Sequence, residues 1–205
     1  MNLFDYNRHM YNILGFMKQH EWSGKFHSGG AITESTIIGN YRVEYEDGDY
    51  PNLFIWNLDR PCIVIGLDKA NKLAVLNDLV YSASCTIDGK MKRGEGTIEM
   101  MNFAFKMAKK YGAEKIQLMD HSTFKCKDEK VDLGLYSLMT YGKTWYERKF
   151  GFTPIKSDKS EFEEIRSKLP RLKHSCEFYM GENGKKISKE YGLDVRFRIV
   201  WEKLL

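Results

Sequence analysis

Lys92-Arg93-Gly94-Glu95-Gly96-Thr97 is the stretch on which the reading of the fold turns. Before it runs an apolar segment from Leu73 to Ile87, with Val75, Leu76, Leu79, Val80, Tyr81 and Ala83. After it, Ile98, Met101, Phe105 and Ala108 recur at helical spacing until Tyr111-Gly112 ends the run. Strand, glycine loop, helix is an order that leaves several backbone N–H groups unpaired beside the positive end of a helix dipole. Glycine lets the backbone approach a bulky anion, and Lys90, Lys92 and Arg93 add positive charge nearby. The expectation is a phosphate or pyrophosphate site formed by residues 92 to 97. A tight strand-to-helix turn also needs glycine for geometry alone, so the loop argues for an anion only together with its surroundings.

Upstream, Tyr41-Arg42-Val43-Glu44-Tyr45-Glu46 alternates as a half-buried strand should, and Leu53 to Leu58 reads as its hairpin partner across the turn Asp47–Asn52. Cys62 to Leu67 is a third strand, and Ser35 to Ile38 a short one. Phe4, Met10, Tyr11, Leu14 and Met17 can share one face of a helix over residues 3–20. Downstream, Glu114 to Asp120 is a strand, and strand–helix–strand implies parallel pairing of the two flanking strands. Residues 124–132 read as a polar loop. Leu135, Leu138, Met139, Gly142, Trp145, Tyr146 and Phe150 then trace a second helix, stopped by Gly151 with Pro154 beyond it. A helix over Glu161–Leu169, a strand over Glu177–Met180 and a last strand over Asp194–Trp201 complete the expected order.

Antiparallel strands, glycine loop, helix, strand, helix and Gly-Phe together resemble the GNAT superfamily of N-acetyltransferases over Leu73 to Pro154. The family's loop reads Arg/Gln-x-x-Gly-x-Gly/Ala, and the matching run here is Met91-Lys92-Arg93-Gly94-Glu95-Gly96, with Met91 where the Arg or Gln stands. Trp145-Tyr146-Glu147-Arg148-Lys149-Phe150-Gly151-Phe152 is similar to the family's Tyr-x-x-x-Gly-Phe ending, with one extra residue between Tyr146 and Gly151. The resemblance implies a mixed α/β (α+β) fold with a mostly antiparallel central sheet flanked by helices. It implies acetyl-coenzyme A as co-substrate, its pyrophosphate on Lys92, Arg93, Gly94, Glu95, Gly96 and Thr97. It further implies Tyr146 as the acid facing the departing thiolate, and an oxyanion held by a main-chain N–H near Ser84-Cys85-Thr86. The cofactor then lies in the splay between that strand and Ile116–Asp120.

Amine acylation needs a deprotonated amine, an oxyanion partner and a proton for sulfur. Glu44 and Glu46 are base candidates, because family members often offer substrate-side residues on the first hairpin strand. Asp78 is another, a charge inside an apolar run, and His121 a third, titrating near neutrality. The plainer alternative for each is a solvated or locally hydrogen-bonded side chain, with water relaying the proton.

A chain of 205 residues with 42% hydrophobic and 14% aromatic content is expected to form one domain, with core motifs over 73–154 and an extension over 155–205. That extension is expected to build either an acceptor pocket or a homodimer contact. The net charge of +4 is spread among interleaved lysines and acids, which argues against a nucleic-acid partner. No apolar run reaches the roughly 20 residues of a membrane span, and the first residues lack a signal peptide's pattern, so a soluble cytoplasmic protein is expected. Cys62, Cys85, Cys126 and Cys176 lack metal-ligand spacing and read as reduced core or loop thiols; no metal is expected. The functional expectation is an acetyl-CoA-dependent N-acyltransferase acting on a primary amine, small molecule or peptide. The alternative is a catalytically degenerate binding or interaction module on the same fold.

Overall fold

The alternation seen upstream of the glycine loop becomes a meander of five strands: β1 (Ile32–Ile38), β2 (Tyr41–Glu46), β3 (Asn52–Asn57), β4 (Arg60–Asp68) and β5 (Leu73–Leu79). Each pairs antiparallel with the next. The computed structural model describes residues 32–39, 41–48, 51–57, 60–79, 95–170, 174–191 and 199–205. The helix expected over residues 3–20, the apolar run beyond Leu79, Ser84–Thr86, Lys92, Arg93, Gly94 and most of the strand expected over 194–201 lie outside them.

Helix α1 (Glu95–Lys110) crosses from β5 to β6 (Lys115–Met119), and β5 and β6 pair in parallel. Near the chain's end, β10 (Val200–Leu204) joins β6 on its other side, antiparallel. Next to it, β9 (Thr153–Pro154) closes an eight-stranded sheet ordered β1-β2-β3-β4-β5-β6-β10-β9. Residues beyond Pro154 are therefore built into the sheet, between β6 and β9.

One face of the sheet carries Val43, Leu53, Ile55, Ile63, Ile65, Ala74 and Ile116, all fully buried. These are alternate residues of successive strands brought into one layer by the register Val43↔Ile55↔Ile63. Against them α1 turns Met100, Met101, Ala104, Met107 and Ala108, the three-and-four spacing of a helix with one apolar side. Tyr41 meets Phe103 with ring centroids 4.9 Å apart, and Tyr45 stacks on Tyr111 at 5.2 Å, so the helix lies along the sheet. Burying one such side chain contributes about 1.5–3 kcal/mol.

Three expectations of secondary structure are corrected. Residues 124–132 are not a loop: β7 (Thr123–Cys126) and β8 (Glu129–Asp132) form a hairpin whose turn places Lys127 at φ 52°. The sequence there is Lys-Asp, without the Asn-Gly or Asp-Gly signal that usually announces such a turn. The second helix is two helices, α2 (Leu133–Tyr141) and α3 (Trp145–Phe150). Gly142 ends the first in the left-handed region at φ 69°, and Thr144 opens the second with a capping box to Glu147. The stretch 177–180 is no strand but part of a 3-10 turn, Cys176–Tyr179, leading into α5 (Gly181–Glu190). Before it, α4 (Lys156–Lys168) packs Phe162 edge-on against Trp201 at 4.8 Å.

The cysteine reading is corrected as well. Cys126 of β7 and Cys176 of the 3-10 turn come within 6.0 Å Cα to Cα and are joined as a disulfide, and Cys62 is disulfide-bonded too. Spacing along the chain carried no sign of this, because the fold alone brings partners 50 residues apart together.

Candidate functional site

The parallel ladder of β5 and β6 is short. It holds Leu73↔Lys115, Ala74↔Ile116 and Val75↔Gln117 and goes no further, although β5 continues to Leu79 and β6 to Met119. On the other side of β5 the register slips between Ile65↔Leu76 and Val64↔Asp78, so Asn77 is an inserted residue. A bulge of this kind bends its strand and steepens its twist. The pairing of the two strands ends short of their carboxyl ends.

Helix α1 runs back along this pair. Its carboxyl end returns through Tyr111–Glu114 to the start of β6, where Glu114 N–H donates to the Lys72 carbonyl at 2.8 Å. Its amino end therefore stands toward the carboxyl ends of the two strands. Glu95, Gly96 and Thr97 form its first turn, with Gly96 buried. These three residues of the expected loop are helical. Main-chain N–H groups of a first turn have no acceptor inside the helix, and they face the carboxyl ends of the strands, where open α/β sheets take their ligands.

A polar cluster closes the same end. Asp120 follows β6 directly and is 5% exposed. Its Oδ1 accepts the Ser122 N–H at 3.0 Å, while its Oδ2 is buried with no hydrogen-bond partner. Tyr146, on α3 and 8% exposed, places its hydroxyl 3.2 Å from Ser122 Oγ. Burial, then the charge of Asp120, raises the Tyr146 phenol far above its ordinary range, and the Ser122 hydrogen bond opposes this only in part. Around the ring stand Trp145, Phe150 and Phe152, with centroids 5.1, 6.3 and 5.9 Å away.

Why Tyr146 arrives there is local chemistry. Thr144 Oγ1 accepts from Glu147 N–H at 3.2 Å, Glu147 Oε2 accepts from Thr144 N–H at 2.6 Å, and Arg166 of α4 holds Glu147 Oε1 at 2.9 Å. Gly151 closes α3 at φ 72°, its N–H returning to the Glu147 carbonyl at 3.1 Å. With both ends set, the phenol is aimed at Ser122.

Glu44 stands elsewhere. It lies on β2, on the sheet face opposite Tyr41, Val43 and Tyr45, and pairs with Arg42 at 3.0 Å. Four strand spacings separate β2 from β6, roughly 19 Å at about 4.8 Å each. The register Glu44↔Phe54↔Val64↔Asp78 nevertheless puts Glu44 and Asp78 in one cross-strand row, and Asp78 sits beside the bulge. Glu46 is buried, and Asp47 is engaged, accepting from Tyr45 Oη at 2.8 Å and Lys69 at 3.3 Å. His121, between Asp120 and Ser122, is exposed.

The structure thus brings Glu95, Gly96, Thr97, His121 and Tyr146 to one end of the sheet and leaves Glu44 on its other face. Sequence reasoning had not singled out Asp120 or Ser122. The signal was an acid directly after an apolar strand, at the end where ligands bind. A small dent between Leu67, Lys72, Tyr111 and Gly112 lies at the opposite end of the sheet. Among the described residues no His, Cys, Asp and Glu side chains gather in threes as metal ligands do, and no helix is long and apolar enough to cross a membrane. No protein-family model, characterised protein or solved structure matches the chain.

Proposed function

We propose that the chain is an acetyl-coenzyme-A-dependent N-acyltransferase with a GNAT-like core, acting on a primary amine. One observation carries the reading: the pairing of β5 and β6 ends after Val75↔Gln117, toward the amino end of α1. A parallel pair whose ladder stops early offers main-chain donors and acceptors from two strands to an extended ligand. A pantetheine arm with its two amides suits that slot, and a pyrophosphate suits the helix end. In the transfer, the amine nitrogen bonds to the thioester carbonyl carbon, the carbon–sulfur bond breaks, and its electron pair leaves on sulfur. The amine's proton goes to a base or to water; Asp78, at the bulge, and Glu44 in its row lie on the face away from α1. Tyr146 faces the sulfur.

Isothermal titration with acetyl-CoA tests the reading, followed by thiol release with a panel of primary amines. At a hundred times its dissociation constant the ligand stabilises the fold by ~2.7 kcal/mol. No heat and no thermal shift would remove the proposal. A binding module without chemistry is the second reading, favoured by Met91 and by a Tyr146 hydroxyl already tied to Ser122. For an enzyme Tyr146→Phe lowers turnover by roughly a hundredfold, within the usual range for an acid–base group; for a module it changes nothing.

A further inference from the structure

Tyr146 is 24 residues from Ser122 in sequence, yet its hydroxyl has that one protein partner among the described contacts. Ser122 is itself held twice through its main chain: Asp120 Oδ1 takes its N–H at 3.0 Å, and its carbonyl accepts Leu133 N–H at 2.9 Å. Asp120 therefore closes a two-residue side-chain turn that sets where the Ser122 hydroxyl can be. Its other oxygen is buried without a hydrogen-bond partner.

We propose that Asp120 is a positioning residue for Tyr146: it fixes Ser122 against the phenol hydroxyl, so that Tyr146 serves the site as a hydrogen-bond donor. The proposal rests on the acyl-transfer reading of the site. A serine hydroxyl both donates and accepts. When Ser122 Oγ donates to the phenol oxygen, the Tyr146 O–H is left to point at a ligand. A thiolate, whose thiol titrates near about 8.5, would then be stabilised by a hydrogen bond without full transfer, because burial and Asp120 disfavour a phenolate.

Among the described residues, charged neighbours of Tyr146 on its own helix have other partners. On its own helix Glu147 is bound to Arg166, and Arg148 lies over the Tyr141 ring at 3.9 Å. From α1 the neighbour is Phe105, which packs on Phe150, and Lys203 of β10 lies over that same Phe105 ring. His121 is exposed. Asp120 is the ionic group that reaches the phenol.

The test places 3,5-difluorotyrosine at position 146, whose phenol titrates nearer neutrality, and follows fluorine NMR against pH in the full chain. Asp120→Asn keeps an acceptor for the Ser122 N–H and removes the charge; it should increase the ionisation constant of the phenol about tenfold or more. Ser122→Ala removes the hydroxyl partner and should move the fluorine resonance of the neutral ring. An unchanged midpoint in Asp120→Asn, or an unchanged resonance in Ser122→Ala, overturns the proposal. If the fluorine responses follow while acetyl-CoA gives no heat, the positioning stands and the transferase reading falls. If acetyl-CoA binds and turns over while the responses are missing, the reverse holds.

Discussion

Gly142→Ala and Thr144→Ala separate two accounts of residues 133–150 by the sign of their effect. Were the segment one continuous helix, alanine at either position would stabilise it, by about 1 kcal/mol for glycine and a few tenths to 0.7 for threonine. In the structure Gly142 is a left-handed C-cap at φ 69°, where a Cβ costs roughly 1–2 kcal/mol. Thr144 is an N-cap, 2% exposed, in a reciprocal capping box with Glu147. Its loss costs about 1 kcal/mol and up to about 2. Each alanine is therefore expected to destabilise, with the midpoint of thermal unfolding falling about 2–4 °C per kcal/mol for a chain of this size. Thr144→Ser keeps the hydroxyl and should stay within about 0.5 kcal/mol of wild type. Urea titration at 25 °C, with slope and midpoint fitted together, measures all three variants. A gain in stability from either alanine would refute the break between α2 and α3. It would also remove the reason why Tyr146 points at Ser122.

Gly184→Ala should lower stability by about 1–3 kcal/mol despite better helix propensity, because the added Cβ would overlap the Tyr179 carbonyl; chemical denaturation reads it. Breaking Cys126–Cys176, which closes a 50-residue separation, should cost up to about 4 kcal/mol in the chain-entropy account. Alkylation of both thiols before any reduction would contradict the bond itself. Tyr41 titrates at about 12 in the fold against an ordinary 10.0, through burial and then the charge of Glu99. Unfolding therefore releases its proton between those values. The contribution is complete below pH 10 and is lost as pH rises toward 12, up to about 3 kcal/mol. Tyr41→Phe should flatten that part of the stability–pH curve, measured by denaturation at pH 9, 10 and 11.

Period-two runs such as Tyr41–Glu46 and Leu53–Leu58 were legible because an antiparallel strand writes its buried face into alternate residues. The crossover from β5 through α1 to β6 was legible because parallel strands require one. Tyr146 was singled out through the resemblance of its stretch to a Tyr-x-x-x-Gly-Phe ending. The break at Gly142-Lys143-Thr144 was overlooked because Leu138, Met139, Gly142, Trp145 and Tyr146 keep three-and-four spacing across it, although Thr144-x-x-Glu147 is itself a capping signature. Phe178-Tyr179-Met180 looked like a strand because aromatic residues favour sheets. Yet Gly184 lets α5 come down onto the Tyr179 carbonyl, and the backbone there turns instead.

By itself the sequence determined the antiparallel strands ahead of α1 and the crossover from β5 through α1 to a parallel β6, since each follows from local periodicity, turn chemistry and the handedness of crossovers. Tertiary structure alone decided where β5 leaves β6, which cysteines join, and that Asp120 and Ser122 meet Tyr146. Those outcomes depend on which residues lie opposite one another across strands and helices, and separation along the chain does not encode that.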